Sequence, residues 1–133
     1  MNNKILIIDD EADVVKYLSM VLKANQFEPI AINNAATAME SARKERPALI
    51  SLDIMMPRET GISFYKKLKS DKALANIPVI IVSGVIQSEK FDFRSYVKDK
   101  TIPPPECYME KPIDVDKYIK TINKLITASD RPQ

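Results

Sequence analysis

Five polar side chains stand out because each closes an apolar run. Asp9 and Asp10 follow Lys4-Ile5-Leu6-Ile7-Ile8, and Asp53 follows Ala48-Leu49-Ile50-Ser51-Leu52. Ser83 follows Ile77-Pro78-Val79-Ile80-Ile81-Val82, and Lys111 follows Cys107-Tyr108-Met109-Glu110. Carboxylates brought to one point repel each other unless a cation sits between them, and an all-oxygen site with one or two direct carboxylates plus water suits Mg²⁺. A carboxylate is also a competent covalent phosphoryl acceptor, and phosphoryl transfer needs mainly alignment and neutralisation of the transferring oxygens. A metal, the Lys111 ammonium and the Ser83 hydroxyl would supply that neutralisation together. Any one acid alone reads equally well as a polar strand end in solvent. Matched groups at successive strand ends point instead to one shared edge, where a parallel sheet keeps its chemistry.

The elements that must position these groups alternate. The apolar runs read as strands buried on both faces, and the segments between them carry helical spacing. Val14, Val15, Leu18, Val21 and Leu22 mark a helix from about 12 to 25, with Asn25 as its stop. Phe27 to Ile32 reads as a weaker strand, and Asn33 or Asn34 can cap a helix carrying Ala38, Met39 and Ala42 that ends before Pro47. After Asp53, the stretch from Pro57 to Gly61 has turn chemistry, with Gly61 expected in a backbone conformation other residues resist. Ile62, Phe64, Tyr65 and Leu68 then mark a further helix. Phe93, Tyr96 and Val97 allow a short helix, and Ile102-Pro103-Pro104-Pro105 forces an extended segment. Tyr118, Ile119, Ile122, Leu125 and Ile126 mark the last helix, with Asp114 in its first turn and a polar, frayed tail from Thr127. Strict strand–helix alternation predicts a parallel sheet covered on both faces.

Composition narrows the chemistry. At 133 residues and 45% hydrophobic content the chain fits one domain with one sizeable core. A net charge of +2, with basic and acidic residues interspersed, argues against direct nucleic-acid binding or a membrane surface. The single cysteine, Cys107, cannot form an internal disulfide, and Asp9, Asp10 and Glu11 interrupt the only N-terminal apolar run, so the cytoplasm is the expected compartment. Zero histidines exclude a histidine nucleophile or base within the chain.

The combination of Asp9-Asp10, Asp53-Ile54-Met55-Met56-Pro57 with Gly61, Ser83 and Lys111-Pro112 resembles the receiver domain of bacterial two-component response regulators. The resemblance covers nearly the whole chain. It implies an α/β, flavodoxin-like (βα)5 doubly wound parallel sheet with strand order 2-1-3-4-5. It implies that residues 1–126 are the receiver domain and 127–133 a polar C-terminal tail. It makes Asp53 the phosphoacceptor, with Asp10 and Asp53 as direct Mg²⁺ ligands, Asp9 acting largely through water, and the Met55 backbone carbonyl completing the set. Ser83 would bind the phosphoryl oxygen, Lys111 would pair with it, and Tyr108 matches the family's switch aromatic. The implied phosphodonor is a phosphohistidine on a sensor histidine kinase or phosphotransfer protein. The output is a change in protein binding, either to a downstream protein or within a longer regulator whose output domain would follow the tail.

Three departures from that pattern bear on signalling. Gly84 follows Ser83 where a small residue, commonly Ala, is typical. The Ser83-to-Lys111 spacing is longer than usual, with the Pro103-Pro104-Pro105 segment replacing a Gly-Ala run. Met55 and Val85 are apolar where fast-turnover members place polar groups, which predicts a long-lived phosphoryl-Asp53. Two rival readings share some of these residues. A Mg²⁺-dependent phosphohydrolase would want a second acid where Met55 stands. A pseudo-receiver binding module would work without phosphorylation.

Overall fold

The protein is seen in a computed structural model that describes residues 2–34, 36–54, 61–84, 94 and 97–129. The elements are β1 (Lys4–Ile8), α1 (Ala12–Ala24), β2 (Glu28–Ile32), α2 (Ala38–Glu45), β3 (Leu49–Leu52), α3 (Gly61–Ser70), β4 (Val79–Ser83), β5 (Cys107–Glu110) and α4 (Val115–Ser129). All strand pairs are parallel, and the sheet order is β2-β1-β3-β4-β5. This is the doubly wound flavodoxin-like topology expected above. Among the described residues, no helix is long and apolar enough to cross a membrane.

Side-chain alternation divides each strand between two cores. Leu6, Ile8, Ile50, Leu52 and Ile81 pack with Ala38 and Ala42 of α2 and Phe64, Tyr65 and Leu68 of α3. Ile5, Ile7, Leu49, Ile80 and Val82 pack with Leu18 and Leu22 of α1 and Tyr118, Ile122 and Ile126 of α4. Strands buried on both faces explain why β1, β3 and β4 are almost continuously apolar. Deleting one of these side chains down to Ala removes about 2–5 kcal/mol.

Helix ends differ from expectation in detail. Asn25 is the C-cap of α1, but the left-handed residue is Gln26, at φ 68°. Asn34 acts ahead of α2 rather than as its cap: its Oδ1 accepts the Thr37 N–H at 3.2 Å, and Thr37 occupies the cap position. Arg46, at φ 45°, closes α2 before Pro47. Asp114 precedes α4 and accepts the Lys117 N–H at 3.2 Å, so it is a cap, and Asp116 is the acid in the first turn. Thr127 to Ser129 continue α4 instead of fraying, and residues 130–133 lie outside the described residues.

The expected helix around Phe93 and Tyr96 lies outside the described residues, as does the Pro57 turn. Val97 and Ile102 are buried in the α2/α3 core. The proline segment is tied down at this end of the sheet. The Tyr65 hydroxyl donates to the Pro103 carbonyl at 2.6 Å, and Glu106 clasps Val79 through its N–H to the Val79 carbonyl (3.1 Å) and its Oε2 from the Val79 N–H (3.0 Å). Lys69 of α3 lies beneath it, donating to the carbonyls of Ala75 (3.0 Å) and Ile77 (2.8 Å), with Glu106 Oε1 at 3.8 Å.

Candidate functional site

The carboxyl ends of the strands meet at one edge because the sheet's hydrogen bonding continues past them. The Asp9 N–H donates to the Ile32 carbonyl at 3.1 Å, and the Asp53 N–H to the Ile8 carbonyl at 2.8 Å. The Lys111 N–H donates to the Ser83 carbonyl at 3.2 Å, so β4 and β5 deliver the hydroxyl and the ammonium side by side. The backbone under each group is therefore a ladder rung rather than a free loop. The Lys111–Pro112 peptide that follows is cis.

Asp9 and Asp53 are buried and Asp10 is exposed, yet one carboxylate oxygen from each lies within 4.8 Å of the others. Lys111 Nζ reaches across them, 2.9 Å from Asp9 Oδ2, 3.3 Å from Asp53 Oδ2 and 2.7 Å from Glu11 Oε1. Burial raises the Asp9 carboxyl above the usual range, with the Asp53 charge adding to it and the Lys111 contact and the Glu11 N–H opposing. Burial alone would lower the Lys111 ammonium, but its bonds to Glu11 and Asp9 and the charge of Asp53 outweigh that and hold it above the ordinary lysine value. It stays a cation at any physiological pH.

The donor set suits a hard divalent cation. It is all oxygen, two acids are buried and pre-positioned, and the third faces solvent, where water would be available to fill the remaining positions. Negative charge in excess of the one ammonium gives such a cation a reason to bind. Met55, whose carbonyl was expected to join this set, lies outside the described residues, and so does Val85.

Gly61 corrects the sequence expectation. It has no positive φ; no glycine among those described does. It is required by proximity: a Cβ there would collide with the Asp53 carbonyl oxygen and sit 2.8 Å from the Ile54 Cα. The Gly61 N–H donates to the Ile54 carbonyl at 3.2 Å, so α3 begins packed on the backbone of the central acid. Gly84 differs, being exposed with nothing among the described residues where a Cβ would stand. Ser83 is buried, and Tyr108 is half-buried against the α2/α3 core.

All five strand-end groups thus come to one edge, with Tyr108 on the strand that leads to Lys111. The residue that sequence reading missed is Glu11. It registers there only as acid near a helix start, although a third consecutive acid after an apolar run is the available signal. An open cavity of about 650 Å³ adjoins the site, bounded by Glu11, Tyr17, Gly84, Lys111 and Ile113 among others.

Comparison with known proteins agrees with this geometry. A family model described as response regulator receiver domain matches residues 5–123. The chain is 31% identical over 128 residues to the polar-differentiation response regulator DivK of Brucella anthropi, covering 95% of this chain and 98% of that protein. Among solved structures, a sensor protein from Polaromonas sp. JS666 superposes with a TM-score of 0.83 at 24% identity, covering 95% of this chain and 97% of that one. The receiver domain of Francisella response regulator 1452 superposes with a TM-score of 0.80 at 25% identity, covering 97% and 100%.

Proposed function

The chain belongs to the response regulator receiver domain family and is a receiver domain of two-component signalling, not a metabolic enzyme; on that premise we propose that Asp53 is its phosphoacceptor. The observation that carries this reading is the buried Asp53 carboxylate, 3.3 Å from the Lys111 ammonium and within one 4.8 Å cluster with Asp9 and Asp10. A carboxylate held this way is aligned for attack and has its counter-charges waiting.

The donor is a phosphohistidine on a sensor histidine kinase or phosphotransfer protein. An Asp53 oxygen forms the new O–P bond as the N–P bond breaks, and the imidazole nitrogen leaves with the electron pair and takes up a proton. Lys111 pairs with one phosphoryl oxygen, and the Ser83 hydroxyl donates to another. Asp10 and Asp53, with Asp9 through water and the Met55 carbonyl, would hold Mg²⁺, which when bound would supply further neutralisation of charge on the phosphoryl oxygens. Hydrolysis by water returns Asp53 and inorganic phosphate, so the chain catalyses only its own loading and unloading.

Signalling follows from the new bonds. Ser83, drawn toward the phosphoryl group, leaves space into which Tyr108 turns, and the changed surface alters binding to a downstream protein or output domain. One charge-assisted hydrogen bond, at about 1.5–3 kcal/mol, shifts such an equilibrium by one to two orders of magnitude. The signalling unit runs through α4, which extends to Ser129, past the boundary at 126 expected from the sequence, and it works in the cytoplasm without contacting nucleic acid or membrane.

The test is intact mass after incubation with a small acyl phosphate and Mg²⁺. The expected result is a gain of about 80 Da, one phosphoryl group, in the wild-type chain and none in Asp53→Asn. A gain of equal size in Asp53→Asn, or no gain in the wild type with either an acyl phosphate or a phosphohistidine protein, overturns the assignment.

A further inference from the structure

Lys111 has three N–H bonds and three carboxylate neighbours, and these neighbours are not equivalent. Asp9 and Asp53 side chains are 3% and 4% exposed, whereas that of Glu11 is 59% exposed. The shortest contact of the three, 2.7 Å, is nevertheless the one to Glu11. Glu11 is also fixed in place from behind. Its N–H donates to Asp9 Oδ1 at 2.9 Å and its carbonyl accepts the Val15 N–H at 3.1 Å, so the residue that opens α1 is tied to the same acid that Lys111 touches. Asp9, Glu11 and Lys111 form a closed ring of polar contacts at the mouth of the site.

A phosphoryl group arriving on Asp53 needs a donor from Lys111, whose three N–H bonds face three carboxylates. Until the phosphoryl group is on Asp53, withdrawing one from Asp9 or Asp53 takes a charged contact from a buried carboxylate where water cannot readily replace it, which is unfavourable. Withdrawing one from Glu11 exposes that carboxylate to water, which solvates it readily. We propose that Glu11 is a positioning residue that competes with the incoming phosphoryl oxygen for Lys111, holding the ammonium toward the rim until the phosphoryl group replaces it. The proposal rests on the phosphoacceptor reading of Asp53 and adds to it a residue that sets how readily the site loads.

Glu11→Gln keeps the size of the side chain and removes its charge; Glu11→Asp keeps the charge and shortens the reach by one methylene. Phosphorylation is followed by intact mass against acetyl phosphate concentration with Mg²⁺. In parallel, the ¹⁵N resonance and proton exchange of the Lys111 ammonium, identified by its loss in Lys111→Met, are recorded without metal or phosphodonor. The expected result is loading faster by about two- to fivefold in both Glu11 variants, the size of one exposed ion pair, with a shifted Lys111 resonance and faster proton exchange. Wild-type loading rates and an unmoved Lys111 resonance overturn the proposal, as does slower loading. Faster loading in Glu11→Gln alone also overturns it, because Glu11 would then act only as a charge repelling the donor. A wild-type chain that never loads, while its Lys111 resonance still responds to Glu11→Gln, removes the phosphoacceptor reading instead and leaves the contact as structure only.

Discussion

Replacing Lys69 by Met tests whether a buried ammonium near the C-terminal end of α3 holds this part of the fold together. The Lys69 side chain is 2% exposed and its Nζ donates to the carbonyls of Ala75 and Ile77 at 3.0 and 2.8 Å. It also lies 3.8 Å from Glu106 Oε1 and 5.7 Å from the Tyr65 ring centroid. Two hydrogen bonds from a charged donor contribute about 1.5–3 kcal/mol each, and the burial of the ammonium takes back a few kcal/mol. Lys69→Met, similar in length and apolar, should therefore lose about 1–3 kcal/mol. For a domain of this size that is a fall in Tm of roughly 5–12 °C. Urea unfolding followed by far-UV circular dichroism measures it, with the m-value expected to stay unchanged. Glu106→Gln serves as the comparison. At 3.8 Å and with the carboxylate 34% exposed, its charge contributes about 1 kcal/mol or less, and the amide oxygen still accepts from Val79. A pH series sharpens the test. Burial lowers the Lys69 pKa below 10.5, with Glu106 opposing. Between that lowered value and 10.5 the unfolded chain binds the extra proton, so this group's contribution is full above 10.5 and is lost as pH falls through the native value. The gap between wild type and Lys69→Met should widen as pH rises toward 10.5. A Met variant as stable as wild type, with a gap independent of pH, would refute the reasoning, because burial would then cancel the carbonyl bonds completely.

Gly61→Ala should be destabilised by roughly 1–3 kcal/mol in urea unfolding, because its Cβ collides with the Asp53 carbonyl. It should also bind Mg²⁺ more weakly by calorimetry, and wild-type values in both measurements would contradict the close approach. Tyr118 is fully buried, its hydroxyl makes no hydrogen bond of good geometry among the described residues, and burial pushes the phenol up to about 12, with Ser51 opposing. Tyr118→Phe should be neutral or stabilising by up to about 1 kcal/mol; a loss larger than that would mean the hydroxyl bonds a neighbour such as Ser51. The apolar Met55 and Val85 lead us to expect a phosphoryl-Asp53 lifetime of minutes or longer in Mg²⁺, followed by inorganic phosphate release, and a half-life of seconds would refute that expectation.

The site was legible in the sequence because its groups each terminate an apolar run, and a parallel sheet carries such termini to a common edge. Asp9, Asp53, Ser83 and Lys111 needed no tertiary information to be paired. Glu11 and Lys69 did. Glu11 meets a lysine 100 positions away in the chain, and Lys69 meets Glu106 across α3 and the β4–β5 connection. A lysine near the end of an amphipathic helix reads as solvated, and only the carbonyls of Ala75 and Ile77 turning back under α3 make it interior. Gly61 was singled out correctly but for the wrong reason, since turn statistics suggest backbone freedom and the fold demands empty space. Asn34 and Asp114 were similarly placed a step away from their hydrogen-bonding roles, because cap geometry depends on how the chain enters the helix.

Both ends of α3 are seated: Gly61 against the Asp53 carbonyl, and Lys69 under the carbonyls of Ala75 and Ile77. Adding or deleting one residue in an α-helix advances everything beyond it by about 1.5 Å and turns it by about 100°. No such change between these two residues can keep both seats. The length of this helix is therefore closed to insertion and deletion, even where its outward side chains tolerate substitution, so divergence in this stretch should proceed by replacement alone.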